Sequence, residues 1–362
     1  MTYRVVQWGT GNVGIHSLRH LIRHPRFKLV GLHAHGESKR GRDAADIAGF
    51  TGEKTGVIAT NDVDALLALK PDVVVYNANG ELRPDDAVAD LSRILSAGVN
   101  VASTALIYLI YPPHADASIR EPLEQACRKG KSTLFVNGID PGFSGDVLPL
   151  AALQLSDQIE EVRVQEICDY SSYADPEFTG MAFGFGKPAS ETPLMSLPGI
   201  LAGGWGGMVR MVAKALDVEI EELREVYERD YAKEDFECRM MKVAKGTCSA
   251  VRFEVQGIVK GKPLIVTEHV NRLGDDQAPH WPKAPAGRMG VHRCIVKGNP
   301  GVQLECFVTG FDGDHNTGGV QATALRVINA IPAICAHAPG LISTLDLPYT
   351  PALHLRRGPS NL

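Results

Sequence analysis

The fold predicted from the sequence is an α/β domain with a doubly wound parallel sheet, followed by an α+β domain with a mostly antiparallel sheet. Two patterns support this prediction. From Tyr3 to Asn137, short apolar strands alternate with helical stretches across short links, which is typical of a parallel, right-handed sheet. Farther along, Val251, Phe253 and Val255 alternate with charged neighbours, which is typical of an antiparallel strand with one covered face. A chain of 362 residues is long enough for each domain to bury its own core.

The first strand, Tyr3–Trp8, runs directly into a glycine-rich turn and a helix. Gly9, Gly11 and Gly14 form the pattern G-x-G-x-x-G. In a Rossmann domain the first glycine allows a tight turn, the second lets the backbone approach a pyrophosphate, and the third lets helix and strand pack closely. The strand-to-helix context favours a dinucleotide site over a structural turn without a ligand. The cofactor contacts predicted here are Gly9, Thr10, Gly11, Asn12, Val13 and Gly14.

The second strand, Phe27–His33, bears on the choice of dinucleotide. NAD sites usually end this strand with a carboxylate for the ribose 2′-hydroxyl, whereas the 2′-phosphate of NADP needs cations. The following residues read HGESKRGR, so we predict NADP. NAD stays open because Glu37 can reach the ribose instead, and a solvated basic loop is a further alternative. The contacts predicted from this loop are His35, Ser38, Lys39 and Arg40.

Four more strands complete the predicted parallel sheet: Thr55–Thr60, Val73–Tyr76, Asn100–Ser103 and Thr133–Asn137. The helices predicted between strands are Asp43–Phe50, Val63–Leu69, Pro84–Ala97 and Glu121–Lys129. In open parallel sheets, ligands lie outside the carboxyl ends of the strands. Cofactor contacts are therefore also expected at the ends of the fourth and fifth strands, from Asn77, Ala78, Asn79 and Ser103.

The turn-rich stretch GIDPGF at 138–143 marks the exit from the cofactor domain, and a helix over Asp146–Leu155 follows it. We predict a cofactor domain of residues 1–145, to which residues 316–345 return through a helix over Val320–Ile331. The intervening residues 146–315 are predicted to form a substrate and dimerisation domain. The return places Asn316 beside the cofactor, in the cleft between the domains where redox chemistry is expected.

The strands predicted in the second domain are Glu161–Ile167, Ser249–Val259, Leu264–Asn271, Gly290–Lys297 and Val302–Thr309. Residues 179–207 read as a long irregular segment, either a lid over a pocket or a subunit contact. Met208–Asp230 is predicted to be a surface helix, and Gly261–Lys262 a two-residue hairpin turn. A sheet that one or two helices cover leaves its other face for a second subunit, so we expect a homodimer.

Candidate catalytic residues are ionisable or hydroxyl groups on both domains. The four chosen are Thr104, Tyr108, Glu166 and Tyr173, and the residues chosen for substrate binding are Phe143, Asp169 and Tyr170. His269 and His292 lie on predicted strands, where a satisfied structural role is favoured over a catalytic one. The sequence has no metal-ligand motif, and we expect no metal. Its seven dispersed cysteines favour reduced thiols over disulfides.

Charge and hydropathy bear on partners and location. The 37 basic and 42 acidic residues give a formal charge of −5, which provides no broad cationic surface for nucleic acid. No apolar run approaches the length of a membrane span, and the first strand begins at once, without a signal peptide. We therefore expect a cytoplasmic protein with no membrane and no nucleic-acid partner.

Six segments carry a family resemblance: YRVVQWGTGNVG, HGESKRGRD, TNDVDALLALKPDVVVYNA, NVASTALIYLIYPP, GIDPGF and ATALRVINAIPAICAHAPGL. In these the chain resembles actinobacterial proteins described as dihydrodipicolinate-reductase-like, a group close to 2,4-diaminopentanoate dehydrogenase and the native amine dehydrogenases. The resemblance covers nearly the full length. It implies a Rossmann domain with an α+β domain, a homodimer, NAD(P)H, and reductive amination of a small ketone or aldehyde with ammonia, or the reverse deamination.

One departure from the family pattern keeps two other functions open. The resemblance implies a glutamate after the fifth strand that activates ammonia, but Ser103–Tyr111 contains no carboxylate. A carbonyl or imine reductase that does not use free ammonia fits this absence. A non-catalytic NADP-binding sensor or structural dimer is the other alternative.

Overall fold

The computed structural model describes residues 1–173 and 175–354. The chain folds into two compact units. Among the described residues, the first unit comprises Met1–Gly138 and the chain from Val320 to His354, and the second comprises Ile139–Gly319. The corresponding boundaries predicted from the sequence are 145 and 316.

The strands in chain order are β1 (Tyr3–Trp8), β2 (Phe27–His33), β3 (Ala59–Thr60), β4 (Val73–Tyr76), β5 (Asn100–Ser103), β6 (Thr133–Val136), β7 (Glu161–Asp169), β8 (Glu222–Tyr231), β9 (Phe236–Glu237), β10 (Lys242–Val243), β11 (Cys248–Val259), β12 (Lys262–Arg272), β13 (Gly290–Lys297), β14 (Val302–Cys306) and β15 (Gly340–Ile342). The helices are α1 (Asn12–Arg23), α2 (Ala44–Ala48), α3 (Val63–Ala68), α4 (Pro84–Ser96), α5 (Ala117–Gly130), α6 (Val147–Leu153), α7 (Pro176–Phe183), α8 (Ile200–Ala215) and α9 (His315–Ala336).

The first unit is a doubly wound parallel sheet with the strand order β3-β2-β1-β4-β5-β6-β15. Every pairing in it is parallel. Val73 and Val75 of β4 enter a core with Phe135, to which α9 contributes Val327 and Ile331. This is the predicted Rossmann arrangement. The seventh strand, β15, was not predicted, because its three residues carry too short a pattern to recognise.

Helix α9 is long and apolar enough to cross a membrane by length and composition, unlike any other helix of the described residues. The expectation that no apolar run approaches that length was therefore wrong. One face of α9 is nevertheless in the core of the first unit, where Val327, Ile331 and Ile334 are fully buried. Packing against the sheet accounts for the apolar side chains on that face.

The sheet of the second unit is mixed but mostly antiparallel, with the order β14-β13-β7-β12-β11-β8. Only β7 and β12 pair in parallel within it. Strand register places Phe253, His269, Glu166 and His292 in one row across four strands. Helix α8 packs against β11 and β12 on this side, and its Trp205 contacts the Phe253 ring.

The opposite face of the same sheet carries an ion-pair network of Arg163, Arg252, Glu254 and Glu268. Arg163 contacts Glu254 at 2.8 Å and Glu268 at 2.7 Å, and Arg252 contacts Glu268 at 2.7 Å. The side chains of the two glutamates are 5% and 2% exposed. The charged residues between Val251 and Val255 are therefore paired with one another rather than simply solvated.

Three predictions for the second domain were wrong. Met208–Asp230 is not one helix, because α8 ends at Ala215 and β8 pairs with β11. The acidic segment contains good helix formers, but strand pairing with β11 overrides their helix propensity. Across this pairing Glu228 contacts Arg252 at 2.9 Å. Residues 179–207 are not irregular throughout, since they contain the end of α7 and the start of α8. The hairpin turn lies one residue earlier than predicted, because Val259 pairs with Lys262.

Candidate active site

The glycine loop of the first unit follows β1 at the carboxyl edge of the parallel sheet. Gly9 adopts φ +93°, and a Cβ there would lie 2.9 Å from the Asn77 carbonyl oxygen. A Cβ on Gly14 would lie 2.4 Å from the Gly9 oxygen, so helix and loop pack too closely for a side chain. Gly11 instead faces open space, with nothing within 4 Å of a Cβ. The second glycine therefore leaves room for a ligand.

The side chain of Gln7 ties this loop to the neighbouring strand end. Its Nε2 donates to the Gly9 oxygen at 2.8 Å and to Asn77 Oδ1 at 2.9 Å. Asn77 Nδ2 in turn donates to Thr104 Oγ1 at 2.9 Å. Hydrogen bonds thus hold the ends of β1, β4 and β5 in place. The predicted catalytic residue Thr104 has a role in this scaffold.

A cavity of about 710 Å³ lies over this edge of the first unit. The predicted cofactor contacts that line it are Gly9, Thr10, Gly11, His35, Ser38, Lys39, Asn77, Ala78 and Asn79. Helix α1 begins at the end of this loop. Its N-cap is Gly11, so no side chain at that position accepts a hydrogen bond from the first backbone N–H groups of the helix. Free backbone N–H groups and a positive helix end suit a pyrophosphate. These residues fit a dinucleotide.

Other predicted cofactor contacts do not line this cavity. Ser103 bonds with its own turn, accepting from the Ala105 N–H at 3.0 Å. Arg40 pairs with Glu37 at 2.8 Å. Asn12, Val13 and Gly14 lie at the start of α1. Asn316 belongs to the second unit and donates to the Asp169 carbonyl oxygen at 2.9 Å.

Lys39 is the basic side chain held nearest the glycine loop. Its Nζ donates to the Thr10 carbonyl oxygen at 2.7 Å, which leaves two further N–H donors on the ammonium. Burial, with smaller contributions from His35 and Arg83, lowers the pKa of His33 to about 4. His33 is therefore neutral at pH 7, and the cations that line this cavity are Lys39 and Arg83, of which Arg83 pairs with Asp86 at 3.3 Å.

Glu81 supplies a carboxylate beside the loop after β5, which has none of its own. Its Oε1 accepts from the Ile107 backbone N–H at 3.1 Å. Burial, with the charges of Glu81 and then Asp85, raises the pKa of Tyr108 to about 12. The predicted catalytic residue Tyr108 is therefore a neutral hydrogen-bond donor at pH 7. Glu81 was missed because it follows β4 in sequence rather than β5.

In the second unit, Asp140, Glu166 and His269 form an acid–base cluster. His269 Nε2 lies 3.0 Å from Asp140 Oδ1, and His269 Nδ1 lies 3.5 Å from Glu166 Oε1. Asp140 also accepts from Trp205 Nε1 at 2.9 Å and forms a short hydrogen bond with Ser144. The side chains of Asp140, His269 and Glu166 are 0%, 3% and 8% exposed. Glu166 is therefore the most accessible member of the cluster.

The two carboxylates keep His269 protonated. Burial alone would lower the pKa of His269, but the charges of Asp140 and then Glu166 outweigh burial and raise this pKa to about 10. Burial alone would raise the pKa of Glu166, but the His269 charge, with contributions from His292 and Asn271, holds it well below its usual range. At pH 7 the cluster therefore contains an imidazolium and an ionised Glu166.

Tyr170 connects the cluster to the more exposed part of the second unit. Its hydroxyl donates to Glu166 Oε1 at 2.9 Å, and its ring stacks on Tyr173 with 5.1 Å between centroids. Phe183 and Phe185 also contact the Tyr170 ring, edge to face. Burial, with the charge of Glu166, raises the pKa of the Tyr170 hydroxyl well above its usual value. Tyr170 is therefore a neutral hydrogen-bond donor at pH 7.

The structure brings together some, but not all, of the residues predicted in the second domain. Glu166, Tyr170 and Tyr173 form a connected set. Asp169 lies three residues from Glu166 on β7, on the other face, and its Oδ1 accepts from the Ser171 N–H. Phe143 is half-buried in the turn after Asp140.

Asp140 was not among the residues predicted from the sequence, and His269 was predicted to have a structural role. A signal was available in the strand alternation: Glu166 follows Val162 and Val164 at every second position of β7, so it points to the buried side. The same alternation places His269 on the buried side of β12. Ionisable residues at inward positions of two strands would have indicated a shared polar site.

The three ligand-type side chains of the cluster lie close enough together to suggest a metal ion, since their donor atoms fall within 4.8 Å of one another. Both ring nitrogens of His269, however, lie next to carboxylate oxygens, and its pKa is raised. A metal ligand must be a neutral imidazole with a free lone pair. The three side chains fit a protonated His269 held between two carboxylates better than they fit a metal ion.

Comparisons with known proteins agree on one family. Residues 143–357 match the model of the 2,4-diaminopentanoate dehydrogenase C-terminal domain. The chain is 41% identical over 350 residues to an amine dehydrogenase of Streptomyces virginiae, covering 96% of this chain and 97% of that protein. It is 20% identical over 358 residues to the 2,4-diaminopentanoate dehydrogenase of Acetoanaerobium sticklandii, covering 97% and 94% of the two chains.

The structure of an amine dehydrogenase from Mycobacterium smegmatis shares the fold, with a TM-score of 0.77 and 18% identity over 97% of this chain and 98% of that one. The resemblance noted in the sequence is thereby confirmed. The chain belongs to the family of amine dehydrogenases and 2,4-diaminopentanoate dehydrogenase, and it is an NAD(P)-dependent oxidoreductase.

Proposed function

We propose that the protein catalyses the reductive amination of a small ketone or aldehyde with ammonia, or the reverse oxidative deamination of an amine, with NADP as its preferred cofactor. The observation that carries this proposal is the acid–base cluster of Asp140, Glu166 and His269. Amination requires a group that exchanges a proton with an amine. The cluster offers one, although the loop after β5 contains no carboxylate.

The pKa of His269 suits that exchange. At about 10 it lies close to the pKa of an alkylammonium group, about 10.4 for lysine. Proton transfer between groups of similar pKa costs little free energy in either direction. Asp140 and Glu166 stabilise the imidazolium, while Tyr170 and Trp205 orient the two carboxylates through hydrogen bonds. The bound nicotinamide supplies or accepts the hydride.

The direct test is NADPH oxidation with a panel of ketones and aldehydes, each assayed with and without ammonium at mildly alkaline pH. We expect turnover only when ammonium is present. Turnover that ignores ammonium would contradict the proposal and indicate a carbonyl reductase. Measurable NADPH binding without turnover by any member of the panel would indicate a non-catalytic sensor.

The preference for NADP rests on Lys39. We expect Lys39→Ala to raise the KM for NADPH by about 10- to 100-fold, the value of one hydrogen bond to a charged group, and to leave the KM for NADH nearly unchanged. Arg42→Ala is the matched control, because Arg42 is an exposed cation of the same loop that does not line the cavity. An equal rise in the KM for NADPH and the KM for NADH would refute a role for Lys39 in recognising the 2′-phosphate.

Two further expectations stay proposals: a homodimer and a cytoplasmic location. The small-molecule partner that we propose is an amine, because the related Streptomyces virginiae protein is named an amine dehydrogenase. Light scattering on the purified protein tests the dimer. A single mass near 39.0 kDa would refute it.

A further inference from the structure

Asn271 has a buried acceptor for which the described residues offer no partner. Its side chain is fully buried on β12, and Oδ1 accepts no hydrogen bond there. A buried acceptor without a partner is unfavourable, because it has lost its hydrogen bonds to water without replacement. A small ligand with N–H or O–H donors would remove that cost.

The orientation of this amide is not free to change. Asn271 Nδ2 donates to Glu166 Oε1 at 3.0 Å, so turning the amide over would place Oδ1 against a carboxylate. The hydrogen bond to Glu166 therefore fixes the direction in which Oδ1 points. A ligand that donates to Oδ1 also lies close to the anionic Glu166.

The charges around Asn271 favour a cation over a neutral donor. The two carboxylates of the acid–base cluster are balanced by one imidazolium, His269, which leaves one negative charge. The hydrogen-bonding partners that the described residues give to these carboxylates are neutral, namely Ser144, Trp205, Tyr170 and Asn271, and the neighbouring His292 adds a smaller contribution at Glu166. An ammonium group would balance the remaining charge and supply the missing donors at once.

We propose that Asn271 and Glu166 form the binding site for the nitrogen of the reaction, as ammonium in the amination direction and as the substrate ammonium group in the deamination direction. This assignment rests on the proposed function and extends it to a specific recognition site. Asn271 is the neutral acceptor and Glu166 the charged one.

The test compares Asn271→Leu with Thr267→Val. Leucine has the shape of asparagine without its polar atoms, and Thr267 is a buried residue on the same face of β12. We expect Asn271→Leu to raise the KM for ammonium by about 10- to 100-fold, with the ketone KM and the Kd for NADPH changed less than about threefold. Thr267→Val should change the ammonium KM, the ketone KM and the Kd for NADPH by less than about threefold. If Asn271→Leu does not fold, Asn271→Ser keeps an acceptor and should show a smaller rise.

A second measurement separates this proposal from the proposed function. The unfolding temperature is measured in ammonium chloride and in sodium chloride of equal ionic strength. We expect ammonium to stabilise the wild-type protein and not Asn271→Leu. If this difference appears although no ketone turns over, the nitrogen site stands and the proposed function fails. If amination occurs but the ammonium KM of Asn271→Leu is unchanged, the nitrogen site is refuted and the acceptor binds only a buried water.

Discussion

Replacing His269 by glutamine is expected to lower kcat for amination by about 10²- to 10⁴-fold, the usual contribution of a positioned proton-transfer group. Glutamine keeps hydrogen-bonding capacity beside Asp140 and Glu166 but carries no exchangeable positive charge. The measurement is kcat at saturating ketone, ammonium and NADPH, after circular dichroism has shown that the variant is folded. Glu81→Gln is the matched control, since it neutralises a carboxylate in the first unit. A large loss with Glu81→Gln and none with His269→Gln would place proton transfer in the first unit.

The same histidine also makes stability depend on pH. The pKa of His269 is raised in the folded protein to about 10, above its ordinary value of 6.5. Its contribution to the free energy of unfolding is therefore complete below about pH 6.5 and is lost as the pH rises through about 10. Urea unfolding across this pH range should show the decline in the wild-type protein and a flatter profile in His269→Gln. Equal profiles would contradict the assigned pairing with Asp140 and Glu166.

The second large effect is expected at the glycine loop, where two alanine substitutions should fail in different ways. Gly11→Ala adds a methyl group to open space, so the unfolding temperature should stay within about 2 °C while NADPH binding weakens by at least about tenfold. Gly14→Ala forces a Cβ to 2.4 Å from the Gly9 oxygen, so the fold itself should lose about 1 to 3 kcal/mol.

Calorimetry of NADPH binding and thermal unfolding together distinguish the two variants. A Gly11→Ala protein that binds NADPH normally would show that the pyrophosphate does not approach this glycine. A Gly14→Ala protein as stable as the wild type would show that the loop relaxes around the new methyl group.

Much of the first unit could be predicted from local sequence. β1, β2, β4 and β5 lie at the predicted residues, because each is a short apolar run bounded by turn or helix signals. The glycine spacing also indicated the edge of the sheet at which the cavity lies. These features depend on residues that are neighbours in sequence.

The acid–base cluster could not be found in the same way. Asp140 lies in a turn, Glu166 on β7 and His269 on β12, and only the parallel pairing of β7 with β12 places the last two side by side. Inward-pointing ionisable residues on two alternating strands indicate a buried polar site, but they do not show which strands are neighbours. The helix predicted at Met208–Asp230 failed for a related reason, since pairing with β11 overrides local helix propensity there.

The ion-pair network of Arg163, Arg252, Glu254 and Glu268 has a consequence for how the chain finds its fold. Side chains alternate between the two faces of a strand, so a slip of one residue would turn Arg163 or Glu254 toward the buried face on which α8 packs. There each charge would lose its partner and its water, at a cost of several kcal/mol. The network therefore helps to specify strand register, because a misaligned pairing would bury unpaired charges.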